Sequence, residues 1–133
     1  MNYVYDYGNL WPVAILKRAP LALGGQARIH EMILTSGSVV FHNTPERGEH
    51  LTTLEDALRG LDASQHAIPE NVQAAAYQRL MAAIRNPRPY DAFLNNCQHT
   101  VNRIVYGKAE SRTLQGIVTI GVVSAFAFFA LRG

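Results

Sequence analysis

Residues 28–42 read RIHEMILTSGSVVFH, and this stretch predicts a β-hairpin. Two runs of apolar, β-branched and aromatic residues flank a short turn, as the two strands of a hairpin do. A three-residue loop at 35–37, with Gly37 in the left-handed conformation, is a common solution. It places His30 directly opposite His42 on one face of the sheet, with Cβ atoms roughly 4.5–5.5 Å apart. A four-residue loop would move His42 to the other face.

The flanking sequence predicts one more strand and three helices, which together give an α+β fold with a small antiparallel sheet and packed helices. The helices are indicated by apolar residues at helical spacing and by start and stop signals at their ends. The predicted elements are a strand within about Tyr3–Lys17, a short helix opened by the capping box Thr52–Glu55 and stopped at Gly60, a helix from Pro69 through Ile84, and a helix from about Cys97 to Gly107.

Composition indicates one domain that folds without disulfides. The chain has 133 residues, 48% of them apolar and 17% charged, with a net charge of +2 and one cysteine. That length suffices for a hydrophobic core. The basic residues are scattered, so no nucleic-acid partner is predicted. A single cysteine fits a reducing compartment, and the first residues lack the basic and apolar regions of a cleaved signal peptide.

The segment Leu114–Leu131 predicts a C-terminal membrane anchor. Its eighteen residues carry no charge, with Arg112 before the segment and Arg132 after it. A helix of that length spans roughly 27 Å, which suffices for a bilayer core. A buried core helix is the alternative, although a small domain could hardly cover a helix that is apolar on all sides. We therefore expect a catalytic domain over residues 1–110 and a single-pass anchor over 114–131, with the domain on the cytoplasmic side.

The run Asn95-Asn96-Cys97-Gln98-His99 contains the cysteine. A lone cysteine with histidines elsewhere in the chain is a candidate nucleophile–base system, although a small buried hydrophobe is the alternative. The start of a helix at the thiol would supply a positive dipole end that lowers the thiol pKa. It would also offer backbone N–H groups to a tetrahedral oxyanion.

This run, continued by Thr100-Val101-Asn102 and followed by Tyr106-Gly107, closely resembles the Asn-Cys-Glu-His-Phe-Val-Asn motif with its trailing Tyr-Gly in the lecithin retinol acyltransferase-like family. The likeness extends from about Ala27 to the C-terminus and includes the branch of small phospholipase A/acyltransferases. It implies a circularly permuted papain-like (NlpC/P60) fold with the histidine strand before the cysteine helix. Gln98 and Thr100 differ from the motif, in which Glu and Phe stand.

The resemblance implies that Cys97 is the nucleophile, that His30 is the general base, and that His42 orients His30. It also implies a phospholipid or other acyl-ester substrate, a Cys acyl-thioester, and a membrane-bound phospholipase A or acyltransferase. No cofactor or metal is expected, since neither a Cys-x-x-Cys nor a His-x-x-x-His pair occurs. His99 is expected to be structural, and His50 and His66 are expected to lie at the surface.

Two alternatives remain open from the sequence. The first is a cysteine peptidase, isopeptidase or amidase of the same permuted fold, which would use the same three residues on a peptide or amide bond. The second is a non-catalytic membrane-bound interaction module that keeps the fold. The continuation of the cysteine motif and the apolar C-terminus favour the lipid enzyme.

Overall fold

The computed structural model describes residues 10–20 and 29–108. Within these ranges the chain forms five strands and three helices. In chain order they are β1 (Pro12–Arg18), β2 (His30–Thr35), β3 (Val39–Thr44), β4 (Gly48–Thr53), α1 (Leu54–Leu58), β5 (Ala63–Ala67), α2 (Glu70–Arg85) and α3 (Cys97–Tyr106). The predicted α+β class with an antiparallel sheet is confirmed.

The five strands form one sheet in the order β4-β3-β2-β1-β5, and every neighbouring pair is antiparallel. Successive side chains of a strand point to opposite faces, so each face has its own core. Ile33 and Phe41 pack with residues of α2 and α3 on one face. Met32 and Val40 pack with residues of α1 on the other. The sheet therefore separates α1 from the helix that begins at Cys97.

The β2–β3 hairpin forms as predicted, but its register differs. Leu34 pairs with Val40 and not with Ser38, so the loop lies one residue later, at 36–38. Ser38 has the left-handed φ of 58° that was expected of Gly37. Two hydrogen bonds of Thr35 stabilise the observed loop: its Oγ1 donates to Val39 O at 2.8 Å, and its carbonyl accepts from Ser38 N at 3.2 Å.

The three helices confirm the predicted segments, with one correction at α1. Thr52 lies in β4, and Thr53 is the N-cap, with its side chain accepting from Asp56 N at 3.2 Å. The capping box predicted over 52–55 is therefore wrong by one residue. Strands β4 and β5 were not predicted, because their sequences GEHLTT and ASQHA lack a clear alternation of apolar and polar residues.

The predicted anchor at 114–131 lies outside the described residues, and so does the boundary drawn after residue 110. Among residues 10–20 and 29–108, none of the helices has the length and apolar character needed to cross a membrane.

Candidate functional site

Two of the predicted site residues, His30 and His42, are in direct contact. His30 Nε2 and His42 Nδ1 are 2.8 Å apart, and the two rings meet edge to face at 67°. The residues are diagonal neighbours and not directly opposite, because the register is shifted by two positions from the predicted one. A shift of two keeps a side chain on the same face, so the prediction that both imidazoles share a face is confirmed.

A third histidine extends this pair across the sheet. His50 lies directly opposite His42 in the β3–β4 pair, and their Nε2 atoms are 3.1 Å apart. The other ring nitrogen of His50, Nδ1, is 2.8 Å from Gly48 O. His50 is half-buried, so the surface position predicted for it is only partly right. The turn-forming residues at 45–47 are the sequence signal that could have located it, because a three-residue turn there pairs His50 with His42.

Burial keeps the histidines neutral at physiological pH. It is the main reason that the pKa of His30 falls to about 3 and that of His42 to about 2, and it also lowers the pKa of His50. Desolvation penalises the charged imidazolium, and each ring also lies near other positive or potentially positive groups. We therefore expect the three rings to exchange hydrogen bonds as neutral imidazoles.

The buried side chain of Arg18 adds a positive charge beside this row. Arg18 pairs with His30 in the β1–β2 register, and its Nη1 donates to Ala57 O in α1 at 2.5 Å. Its charge contributes, after burial, to the lowered pKa values of both His30 and His42. Arg18 therefore opposes a resting imidazolium at either histidine.

Cys97 is the first residue of α3 and is buried at the start of β2. Its Sγ lies 3.8 Å from the carbonyl oxygen of Ile29, the residue immediately before His30. By strand alternation the imidazole row lies on the α1 face of the sheet, whereas α3 packs against the opposite face. The structure thus joins His30 and His42 directly, and it places Cys97 Sγ against the backbone carbonyl of Ile29, the residue that precedes His30.

The start of α3 is closed by a reciprocal cap. The Asn96 side chain accepts from the backbone N–H groups of Gln98 at 2.9 Å and His99 at 3.1 Å. His99 Nδ1 in turn accepts from Asn96 N at 3.1 Å, so the structural role predicted for His99 is confirmed. The N–H groups of Gln98 and His99 are occupied by this cap. An oxyanion site formed by backbone N–H groups at this helix start stays a prediction.

A buried carboxylate attaches α3 to the sheet. The Glu49 side chain is fully buried and accepts four hydrogen bonds, which is how a buried charge is tolerated. Its Oε2 accepts from Arg103 Nη2 at 2.7 Å, Thr100 Oγ1 at 2.7 Å and Asn95 Nδ2 at 3.3 Å, and its Oε1 accepts from Arg88 N at 3.0 Å. We call this set the Glu49 cluster.

Thr100, which differs from the family motif, has a clear place in the Glu49 cluster. Its hydroxyl donates to Glu49 and accepts from Asn43 Nδ2 at 3.1 Å. The same Asn43 amide donates to Asn95 O at 2.7 Å. A phenylalanine could make neither of these hydrogen bonds. Thr100 therefore helps to fix the start of α3 through polar contacts that a phenylalanine at this position could not make.

The loop before Cys97 presents two apolar side chains to solvent. Phe93 is 78% exposed and Leu94 is 79% exposed. Their backbone N–H groups donate to the Asp91 carboxylate at 2.9 and 3.0 Å, and Asp91 and Asn95 exchange two backbone hydrogen bonds of 2.9 Å. The two donated bonds also lower the pKa of Asp91. The loop is thus held in a defined shape with its apolar tip outward.

His66 is half-buried on β5, where it pairs with Ile15 of β1, so the surface position predicted for it is only partly right. Within the described ranges, no group of three or more His, Cys, Asp or Glu side chains is arranged to hold a metal ion. Comparisons of the chain with known protein families, with curated proteins and with solved structures give no match.

Proposed function

We propose that the protein is a thiol acyl-transfer enzyme that acts on glycerophospholipid esters at a membrane, with a permuted papain-like fold. The observation that supports this most is the buried hydrogen bond between His30 and His42. Cys97 Sγ contacts the backbone carbonyl of Ile29, the residue immediately before His30. Nucleophilic catalysis by a thiol requires a base whose tautomer is fixed by a second group, and the contact of His30 with His42 supplies such a pair.

In the proposed reaction, Cys97 attacks the ester carbonyl while His30 takes the thiol proton. The C–O bond of the ester breaks, and the imidazolium returns the proton to the leaving lysolipid oxygen. Water, an amine or a second lysolipid then attacks the acyl-thioester with His30 again as base. The C–S bond breaks, and the proton taken by His30 returns to the Cys97 sulfur. Because the pKa of His30 is about 3, its resting imidazole is neutral and can accept the thiol proton.

The exposed tip of the loop favours a lipid over a peptide substrate. Phe93 and Leu94 stand immediately before the motif that contains Cys97, and both are almost fully exposed. Two adjacent exposed large apolar side chains are costly in water but favourable against acyl chains. The predicted anchor at 114–131 would hold this loop at the same interface, where it would meet its substrate.

The test is intact-mass spectrometry of the detergent-solubilised full chain after incubation with phosphatidylcholine. We expect a fatty-acyl mass increment that hydroxylamine removes, and its loss in the Cys97→Ala variant, which contains no thiol. An ether-linked phosphatidylcholine, which has no ester carbonyl, is the matched substrate control. Absence of adduct, released fatty acid and lysolipid would contradict the proposal. Cleavage of peptide or amide substrates in the same samples would then favour the peptidase.

A further inference from the structure

The three imidazoles form a continuous line of hydrogen bonds that ends at a backbone carbonyl. The line runs from His30 to His42 at 2.8 Å, from His42 to His50 at 3.1 Å, and from His50 to Gly48 O at 2.8 Å. A neutral imidazole has one N–H donor and one acceptor nitrogen. Its two tautomers differ only in which nitrogen carries the proton, so each contact constrains the next one.

The Gly48 carbonyl at the end of the line determines which nitrogen donates in each hydrogen bond. Because Gly48 O can only accept, His50 Nδ1 carries a proton and His50 Nε2 is an acceptor. His42 Nε2 must therefore donate to His50, which makes His42 Nδ1 an acceptor. His30 Nε2 must then donate to His42. The remaining ring nitrogen of His30, Nδ1, is left as the unprotonated atom.

Gly48 is suited to fix this direction because its backbone is held in place. It has a φ of +71°, and a Cβ at this position would meet Arg88 O at 2.9 Å. The next residue, Glu49, donates its N–H to Arg88 O at 3.0 Å and has its carboxylate in the Glu49 cluster. Only glycine combines this conformation with this close approach. The carbonyl that accepts from His50 is thus part of a fixed turn.

We infer that His50 is a positioning residue, which, with the Gly48 carbonyl, sets the tautomers of His42 and His30 so that His30 Nδ1 is the basic atom. The inference rests on the proposed function for its catalytic consequence, but the tautomers themselves do not depend on it. The imidazole nitrogens point at one another in pairs and not at a common centre, in keeping with the absence of a metal-binding group in the described residues.

The direct test is the tautomer of each ring. Long-range ¹H–¹⁵N correlation spectra of the full chain in detergent micelles at neutral pH, with ¹⁵N-labelled histidine, distinguish protonated Nδ1 from protonated Nε2. We expect Nδ1–H at His50 and Nε2–H at both His42 and His30. An Nε2–H tautomer at His50 would overturn the inference, whatever the enzyme's activity.

Two substitutions at the same position separate the hydrogen bonds from the packing. His50→Gln keeps an acceptor for His42 and a donor for Gly48 O, and should keep the tautomers. His50→Leu removes both, and should shift His42 and His30 toward mixed tautomers. His66→Leu, at the half-buried histidine of β5, is the matched control and should change neither ring.

The kinetic readout is the rate of acyl-thioester formation. We expect His50→Leu to lower kcat about 10- to 100-fold with little change in KM, and His50→Gln to restore most of the loss, as for partners that orient a catalytic group. Unchanged tautomers in His50→Leu, or changed tautomers with unchanged kcat, would overturn the role of His50. The expected tautomers in a wild type that forms no thioester would instead contradict the proposed function alone.

Discussion

Two polar clusters lie on opposite faces of the sheet near the start of α3. They compensate the cost of burying ionisable groups in opposite ways. The Glu49 cluster contains a carboxylate that is balanced by Arg103 and accepts four hydrogen bonds. The imidazole row of His30, His42 and His50 is joined by contacts between its rings and with the Gly48 carbonyl, and burial is the main cause of its lowered pKa values. A satisfied charge holds a helix in place. A neutral imidazole row has low proton affinity, so one of its rings takes up a proton at neutral pH only when a reaction drives the transfer.

The comparison predicts, first, a steep loss of stability in acid that comes from the imidazole row. Below pH 6.5 an unfolded histidine binds a proton, whereas folded His30 and His42 do so only near pH 3 and 2. The unfolded state thus binds more protons, so stability falls as the pH falls. Each group contributes up to about 1.4 kcal/mol per pH unit. Urea unfolding of the full chain between pH 7 and 4.5 measures this slope.

The variant His42→Gln isolates the histidine contribution to that slope. It removes one titrating group, and the pH dependence should become shallower by up to about 1.4 kcal/mol per pH unit. His66→Gln is the matched control outside the row. A free energy of unfolding that does not change between pH 7 and 4.5 would show that the row is not held neutral.

The second prediction concerns the opposite cluster. Glu49→Ala leaves the partly buried guanidinium of Arg103 without its carboxylate and removes the acceptor for Thr100 and Asn95. Loss of one partner from a buried ion pair costs about 3–5 kcal/mol. We expect a loss of that order in the free energy of unfolding at pH 7. Glu55→Ala, at an exposed position of α1, should change it by less than about 0.5 kcal/mol.

Thr100 provides a third, smaller test within the Glu49 cluster. Thr100→Val keeps the side-chain shape but removes the hydroxyl that donates to Glu49 and accepts from Asn43. We expect a loss of about 1–3 kcal/mol, since buried partners then lack a hydrogen bond. Thr44→Val, at a half-buried position in β3, is the control. Equal effects from the two variants would indicate that the hydroxyl of Thr100 contributes no more than a peripheral one.

The sequence predicted the parts of this comparison that depend on local pattern. Strand alternation placed His30 and His42 on one face, and the turn signals located α2 and α3 to within about a residue. The predicted register was wrong because it assigned the left-handed position of the loop to Gly37, whereas Ser38 takes that conformation and the loop lies at 36–38. The prediction that both side chains lie on one face was still correct, because a register shift of two positions keeps each side chain on the same face.

The parts that the sequence did not predict depend on contacts between distant residues. Strand β4 reads Gly-Glu-His-Leu-Thr-Thr, which has no strong strand pattern of its own. Its pairing with β3 and the hydrogen bond of Glu49 N with Arg88 O define it. Without that strand, His50 reads as one polar residue in a polar segment. The cap of α3 by Asn96 is by contrast a local contact, with residues two and three positions later, and Asn at a helix start is a signal that was not used.

The smallest predicted effect compares the caps of the two helices on opposite faces of the sheet. Asn96→Ala removes an acceptor for two N–H groups of α3 and a donor to Ala92 O, and should cost about 1–2 kcal/mol. Thr53→Ala removes one hydrogen bond at the exposed start of the five-residue α1 and should cost about 0.5–1 kcal/mol. Urea unfolding of both variants gives the difference. An equal or larger loss for Thr53→Ala would mean that the helix start at Cys97 is held by the Glu49 cluster and not by its cap.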